Sequence, residues 1–131
     1  MENIQIEKIK NIEEFFLVFN GLCKIAESAF NRFDEEMSSS NPPSSNLVAK
    51  EVSYLMSITF VIIGMRGQYA GFRGGDDFTP FIVSIDGMEY DQKYLYKMND
   101  YFTSRFDEVL GKVQELAPEY YEPYKLVWQN Y

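Results

Sequence analysis

Two long stretches of the chain carry apolar residues at helical spacing, and they constrain the fold more than any other feature. In residues 11–37 and again in residues 90–116, apolar side chains recur at intervals of three and four. This spacing places them on one face of an α-helix, so both stretches are predicted to be amphipathic helices. Asn11 is the predicted N-cap of the first. The stripes are Ile12, Phe15, Phe16, Phe19, Leu22, Cys23, Ala26, Phe30, Phe33 and Met37, then Tyr94, Leu95, Met98, Tyr101, Phe102, Phe106, Val109, Val113 and Leu116.

The apolar segment between the two stripes admits two interpretations. It begins at Ser45 or Asn46, both good N-cap residues, directly after a pair of prolines. As a helix it has a thin polar face and becomes the buried central element. As a strand, residues 54–63 present two faces, and a β-branched run favours that alternative. The capping residues and the length favour the helix.

The second half of the chain is divided by glycine and proline. Residues 64–77 hold five glycines, and this density predicts a loop. Residues 80–85 then form a short helical turn or a short strand. Pro118 ends the second striped helix, and a final short helix is predicted over 119–130.

These elements predict a mainly α fold, a compact bundle of about four helices with the Gly-rich loop in its middle. The chain, residues 1–131, is predicted to be one globular domain, since its length suits a single core. The alternative is an α+β fold, in which residues 54–63 and 80–85 form a short two-stranded element packed under two long helices.

Charge narrows the range of partners. The net charge is −8 and the chain contains no histidine. Phosphate backbones and anionic membrane surfaces repel such a domain, so direct binding of nucleic acid or membrane is not expected. A basic protein or protein surface is the natural complement. The plain alternative is that the charge only maintains solubility.

The cysteine content, the N-terminal residues and the longest apolar stretch indicate the cellular location and the chemistry to expect. Its single cysteine, Cys23, permits no internal disulfide and is predicted to be a small buried core residue. The N-terminal residues have no apolar signal-like region, and the apolar stretch from Val52 to Met65 is too short to span a bilayer. A cytoplasmic, non-enzymatic protein without cofactor or metal is therefore expected.

One segment resembles a ligand site. Arg66 and Arg73 each stand beside glycine in the Gly-rich loop, and Asp76 and Asp77 follow at once. Glycine lets backbone N–H groups approach an anion, and arginine offers a bidentate fork, so a nucleotide or another small anion is a candidate ligand. The spacing matches neither standard phosphate-binding loop. The alternative is a tight connection in which the arginines pair with the aspartates.

Two further sets of residues are candidates for binding a partner. Asp86, Glu89 and Asp91 belong to an acidic run without lysine or arginine. Tyr120, Tyr124 and Trp128 are spaced to line one face of the last helix, and such aromatic residues dominate binding hot spots. The alternatives are a solvated face for the acids and closure of the core for the aromatics.

In size, acidity and aromatic content the chain resembles small immunity proteins, antitoxins and phage-encoded inhibitors. The resemblance covers no motif. It implies a non-catalytic interaction protein that binds and inhibits or regulates a protein partner, with a homodimer also considered. The alternatives are a small-molecule-binding protein or enzyme that uses residues 64–77, and a small helical subunit of a larger assembly.

Overall fold

Four helices and one short hairpin make up the chain, as seen in a computed structural model that describes residues 11–39, 41, 43–73 and 82–130. The mainly α bundle predicted from the sequence is confirmed. The elements are α1 (Ile12–Met37), α2 (Ser45–Arg73), β1 (Val83–Ile85), β2 (Met88–Tyr90), α3 (Gln92–Leu116) and α4 (Pro118–Gln129).

Side-chain caps explain where the long helices begin. Asn11 accepts a hydrogen bond from the backbone N–H of Glu14 at 2.7 Å, which confirms the predicted cap of α1. The hydroxyl of Ser44 caps α2 in the same way, one residue before the caps predicted for that helix. Asp91 caps α3 by accepting from the N–H of Tyr94 at 3.0 Å.

Contacts between helices fix their directions. Tyr94 on α3 bonds Asn20 on α1, Tyr101 bonds Glu27, and in both pairs the two residues are 74 positions apart. A constant offset means that α1 and α3 run in the same direction. On the other side of α1, Arg32 pairs with Glu51 of α2 at 3.2 Å.

The remaining pairs complete the topology. Phe15, near the start of α1, contacts the ring of Tyr69, near the end of α2, so these two helices are antiparallel. Tyr120 of α4 bonds Asn46 of α2, again 74 positions apart, so α4 follows the direction of α2. The arrangement is an up-down-up-down bundle in which α2 lies against both α1 and α3.

The core is rich in phenylalanine and centred on α2. Its largest fully buried side chains are Phe15, Phe16, Phe19, Phe30, Phe33, Phe102, Phe106, Leu55, Ile62, Met65, Leu95 and Val48. Four of these lie on α2, which is helical from Ser45 to Arg73. The helical interpretation of the middle segment is therefore confirmed, and the strand alternative for residues 54–63 is wrong.

The predicted loop over residues 64–77 is wrong in its first part, because α2 continues to Arg73. Met65 and Tyr69 are 1% and 3% exposed, and the Tyr69 ring packs on Phe15 and Phe16 at centroid distances of 5.9 and 6.1 Å. Each glycine inside a helix costs about 1 kcal/mol relative to alanine, but burial of two large side chains offsets that cost. Residues 74–77 lie outside the described part.

The extended segment before α3 is a hairpin. β1 and β2 pair antiparallel with Val83 opposite Tyr90 and Ile85 opposite Met88. The turn residues Asp86 and Gly87 have φ of 52° and 80°, which is the left-handed geometry that two-residue hairpin turns need. Of the two interpretations for residues 80–85, the strand is confirmed over residues 83–85. Its partner strand is β2, which follows the turn, and not residues 54–63.

The length of α2 overturns one sequence argument. Over Ser45–Gly71 this helix is long and apolar enough, by length and composition, to cross a membrane. The argument that the apolar stretch from Val52 to Met65 is too short to span a bilayer therefore does not hold for the helix that contains it. In the bundle, 39% of its most apolar window is buried. The core helix of a soluble protein passes the same test, so this is weak evidence for a membrane span.

Candidate functional site

The predicted anion site is only partly within the described residues. Arg66 lies on the exposed side of α2 rather than in a loop, and its guanidinium carbon is 4.4 Å from the ring centroid of Tyr96. This cation–π contact gives Arg66 a neighbour within its own domain. The Arg73 side chain and residues Asp76 and Asp77 lie outside the described part. The anion site at these four residues stays a prediction.

Two of the three predicted acidic partner residues lie together on the hairpin. Asp86 occupies the turn and Glu89 lies on β2, both exposed. Neither carboxylate makes a hydrogen bond or ion pair in the part of the chain that the structure describes. Asp91 differs, because its carboxylate caps α3. On the same hairpin Ile82 and Met88 are 62% and 60% exposed. Met88 and Glu89 are successive residues of β2, so their side chains lie on opposite faces of the hairpin.

Two of the predicted aromatic residues of α4 bond to α2. The Tyr120 hydroxyl donates to the Asn46 side-chain oxygen at 3.3 Å. The Tyr124 hydroxyl donates to the carbonyl of Ala49 at 2.8 Å and lies 2.6 Å from the Ser53 hydroxyl. Both tyrosines are half-buried, so these contacts support closure of the core by α4.

Trp128 makes the strongest contacts of α4 with the bundle. Its ring stacks on Phe60 at 5.5 Å and packs against Phe106 at 4.5 Å. The indole N–H donates to the Asp107 carboxylate at 2.8 Å. The outward side of α4 instead presents Leu126, which is 63% exposed.

A cleft of about 470 Å³ opens between α1 and α3, and the sequence analysis did not predict it. It exists because the two parallel helices are bridged by long side chains rather than packed closely. The Tyr94 hydroxyl donates to Asn20 at 2.8 Å at one end, and the Tyr101 hydroxyl donates to the Glu27 carboxylate at 2.7 Å at the other. The bridges are seven residues apart on each helix, which is about 10 Å along the axis.

Aromatic and sulfur-containing side chains form most of the cleft surface. These are Cys23 from α1 and Tyr90, Tyr94, Met98, Tyr101 and Phe102 from β2 and α3. The rings are fixed against one another, since Tyr90 and Tyr94 pack edge to face at 4.9 Å and Tyr101 and Phe102 do the same at 4.9 Å. The walls are therefore set before any ligand arrives.

One end of the cleft holds a network of ion pairs. Glu27 accepts the Tyr101 bond and lies 3.6 Å from the Arg105 guanidinium. Arg105 also pairs with Asp34 at 3.1 Å and donates to the Tyr101 hydroxyl at 3.0 Å. Glu27 and Asp34 therefore share one guanidinium, and the network keeps one negative charge in excess.

The other charges of the cleft are two unpaired lysines. Lys24 lines it from α1 and Lys97 from α3, and both are exposed. Within the described residues neither ammonium group makes an ion pair or a hydrogen bond. Asn20 uses its side-chain oxygen for Tyr94, and its amide nitrogen donates to no described group. The cleft thus carries a net positive charge and a free N–H donor.

Burial favours the protonated forms of Cys23, Tyr94 and Tyr101 in the cleft. It raises the pKa of the Cys23 thiol to about 12, and the thiol is only 5% exposed, so the prediction of a buried core cysteine is confirmed. Burial, with the neighbouring Cys23 and Tyr90, raises the pKa of Tyr94 to about 12. Burial and the bond to Glu27 raise the pKa of Tyr101. At neutral pH the cleft therefore offers hydroxyl groups and no nucleophilic thiolate.

Neither a metal site among the described residues nor a similar known protein assigns a function to the chain. Among the described residues no group of three or more cysteine, aspartate or glutamate side chains is placed to hold a metal ion. No family model matches the chain, and neither a curated protein nor a solved structure is significantly similar to it.

Proposed function

We propose that the protein is a non-catalytic, cytoplasmic binding protein that recognises a basic protein surface through its β-hairpin and so inhibits or regulates that partner. The observation that carries the proposal is the exposed side of the hairpin. The hairpin presents the exposed carboxylates of Asp86 and Glu89 together with the exposed apolar side chains of Ile82 and Met88, and the described chain leaves both acids unpaired.

This combination suits protein recognition. Apolar side chains supply contact area, and unpaired acids attract a surface of opposite potential and set the orientation of encounter. The net charge of −8 extends that attraction beyond the hairpin itself. Asp91, Tyr120, Tyr124 and Trp128 are not included in this surface, because their polar groups already bond within the chain.

Site-specific crosslinking tests the proposal. A photo-crosslinking amino acid is placed at Met88 on the hairpin and, in a second protein, at Leu126 on α4, and each is expressed in the cells that encode the chain. Both side chains are about 60% exposed (60% and 63%), so they are matched for access. We expect one discrete adduct with a basic protein from position 88 and none of the same mass from position 126. Adducts of equal yield at both positions, an adduct with a second copy, or no adduct would contradict the proposal.

Charge variants then test the role of the acids on the identified partner. Asp86→Asn with Glu89→Gln removes two charges, and asparagine tolerates the positive φ of the turn. Glu35→Gln with Glu108→Gln removes two exposed charges elsewhere and is the matched control. We expect the hairpin variant to slow association more than the control and to flatten its dependence on salt. Equal slowing would show that only net charge matters.

A further inference from the structure

We propose that the cleft between α1 and α3 is a binding site for a small organic anion with a flat aromatic body, of the class of aryl carboxylates. This site shares Tyr90 of β2 with the hairpin, but it does not depend on the function proposed for the exposed acids Asp86 and Glu89. Its free charges are positive, whereas those of the hairpin are negative.

The shape of the cleft favours a flat ring. Its volume of about 470 Å³ is within the range of small-molecule sites, and its ends are closed by two fixed hydrogen-bonded bridges about 10 Å apart. Tyr90, Tyr94, Tyr101 and Phe102 supply ring faces and edges. An aromatic ligand gains offset or edge-to-face contacts there, which a flexible chain of equal size does not. Met98 adds a polarisable sulfur that packs well on rings.

The charge of the cleft favours an anion. Lys24 lines it from α1 and Lys97 from α3, whereas the one carboxylate in the lining, Glu27, pairs with Arg105, which it shares with Asp34. Two unpaired ammonium groups at one cleft are unusual in a chain of net charge −8, since acidic side chains outnumber basic ones by 20 to 12. Asn20 lines the same cleft, so its amide nitrogen is a further donor for a ligand carboxylate, and charge-assisted bonds of this kind are the strong ones.

The two hydrogen-bonded bridges determine which donors remain for a ligand anion. Tyr94 and Tyr101 donate their hydroxyl hydrogens to Asn20 and Glu27, so these donors are already used. A ligand anion is therefore held by Lys24, Lys97 and the Asn20 amide alone. A neutral ligand of the same shape keeps the ring contacts and loses the charged bonds.

A matched pair of probes tests shape and charge together. The ¹⁵N-labelled full chain is titrated with 2-naphthoate and, separately, with its neutral analogue 2-naphthamide, while backbone amide shifts are followed by NMR. We expect saturable shifts for naphthoate centred on Lys24, Lys97 and Tyr101. The amide is expected to bind at least about tenfold more weakly than naphthoate. Tenfold corresponds to the loss of one charge-assisted bond. Absence of saturable shifts up to several millimolar naphthoate, or equal binding of the amide, overturns the proposal.

Lysine variants locate the charge. Lys24→Gln with Lys97→Gln removes both ammonium groups from the cleft, and Lys50→Gln with Lys112→Gln removes two surface lysines elsewhere at the same cost in net charge. All four side chains are solvent-facing, so both variants are expected to fold, and the amide spectrum verifies this. We expect the cleft variant to bind naphthoate about tenfold more weakly and the control to bind within twofold of the parent. Equal weakening in both variants, or none in the cleft variant, overturns the assignment.

Discussion

Replacing Trp128 with alanine is expected to release α4 from the bundle. The helix has only twelve residues, begins without a side-chain cap and includes a proline, so it has little stability of its own. Its attachment depends on the tyrosine bonds to α2 and on the indole ring between Phe60 and Phe106. Of these contacts, the indole makes the largest, and its loss leaves the end of α4 without an anchor.

The magnitude follows from the contacts. Each of the two ring pairs is worth about 0.5–1.5 kcal/mol beyond area burial. Covering roughly 100 Å² of the half-buried indole adds about 2.5 kcal/mol at about 25 cal/mol per Å². The hydrogen bond to Asp107 adds about 1 kcal/mol, at the low end because it is exposed. These terms overlap and the site relaxes, so Trp128→Ala is expected to destabilise the fold by about 3 kcal/mol.

Urea denaturation followed by far-UV circular dichroism measures this. Trp128 is the single tryptophan, so tryptophan fluorescence is lost with the substitution and cannot serve as the signal. Leu126→Ala is the matched control on the same helix, where the 63% exposed side chain should cost less than about 0.5 kcal/mol. Trp128→Phe keeps a ring and should cost about 1 kcal/mol.

A loss below about 1 kcal/mol for Trp128→Ala, with unchanged helicity, would refute the reasoning. It would mean that α4 does not depend on the indole ring. The aromatic stripe would then be available to a partner, as the sequence alone also allowed. A loss of helicity equal to about one short helix, without a change in the main transition, would show that α4 unfolds independently.

Three further perturbations have defined outcomes. Asp91→Ala should destabilise the fold by about 1 kcal/mol, whereas Asp91→Asn, which still caps α3, should be near neutral in thermal denaturation; equal effects would refute the cap. Asn99→Leu should stabilise by about 1 kcal/mol in the same assay, because the buried Asn99 side-chain oxygen has no hydrogen-bond partner in the described chain; destabilisation would contradict this. Stability should fall as pH rises from about 9 to 12, because the unfolded chain loses the protons of Cys23 and Tyr94 before the folded chain, whose pKa values are both about 12. Tyr94→Phe and Cys23→Ala should each flatten that slope in urea titrations at stepped pH, and an unchanged slope would refute the assignment.

The sequence predicted the two striped helices closely. The predicted N-cap and end of α1 agree with the structure, and the prediction for α3 began two residues early. This agreement arises because the period of an amphipathic helix is a local property that burial then reinforces. The loop predicted over residues 64–77 is wrong in its first part because glycine density is a local signal, whereas the helix there depends on distant contacts. The local preference of the glycines is against a helix, but Met65 is buried and the Tyr69 ring packs on Phe15 and Phe16, more than fifty residues away in α1. Local propensity contains no information about such partners.

The cleft could not be derived from the sequence. Its parts do carry a signal, since Asn20, Glu27 and Asp34 are spaced by sevens on α1, as are Tyr94 and Tyr101 on α3. Nothing in the chain says that the two series face each other, because that depends on the register between helices far apart in sequence. Lysines such as Lys24 and Lys97 resemble ordinary solvated ones until the neighbouring helix is placed.

The constant offset between α1 and α3 determines where this protein tolerates changes in length. Residues added to or removed from the connections between helices leave both faces intact, since neither helix turns. One residue inserted between Asn20 and Glu27 instead rotates the rest of α1 by about 100°. It would break the Tyr101 bridge, the Arg105 pairs and the far end of the cleft together. Length variation in natural or engineered versions should therefore be confined to the connections. The two bridges would then still share one common offset between α1 and α3, although that offset need no longer be 74 residues.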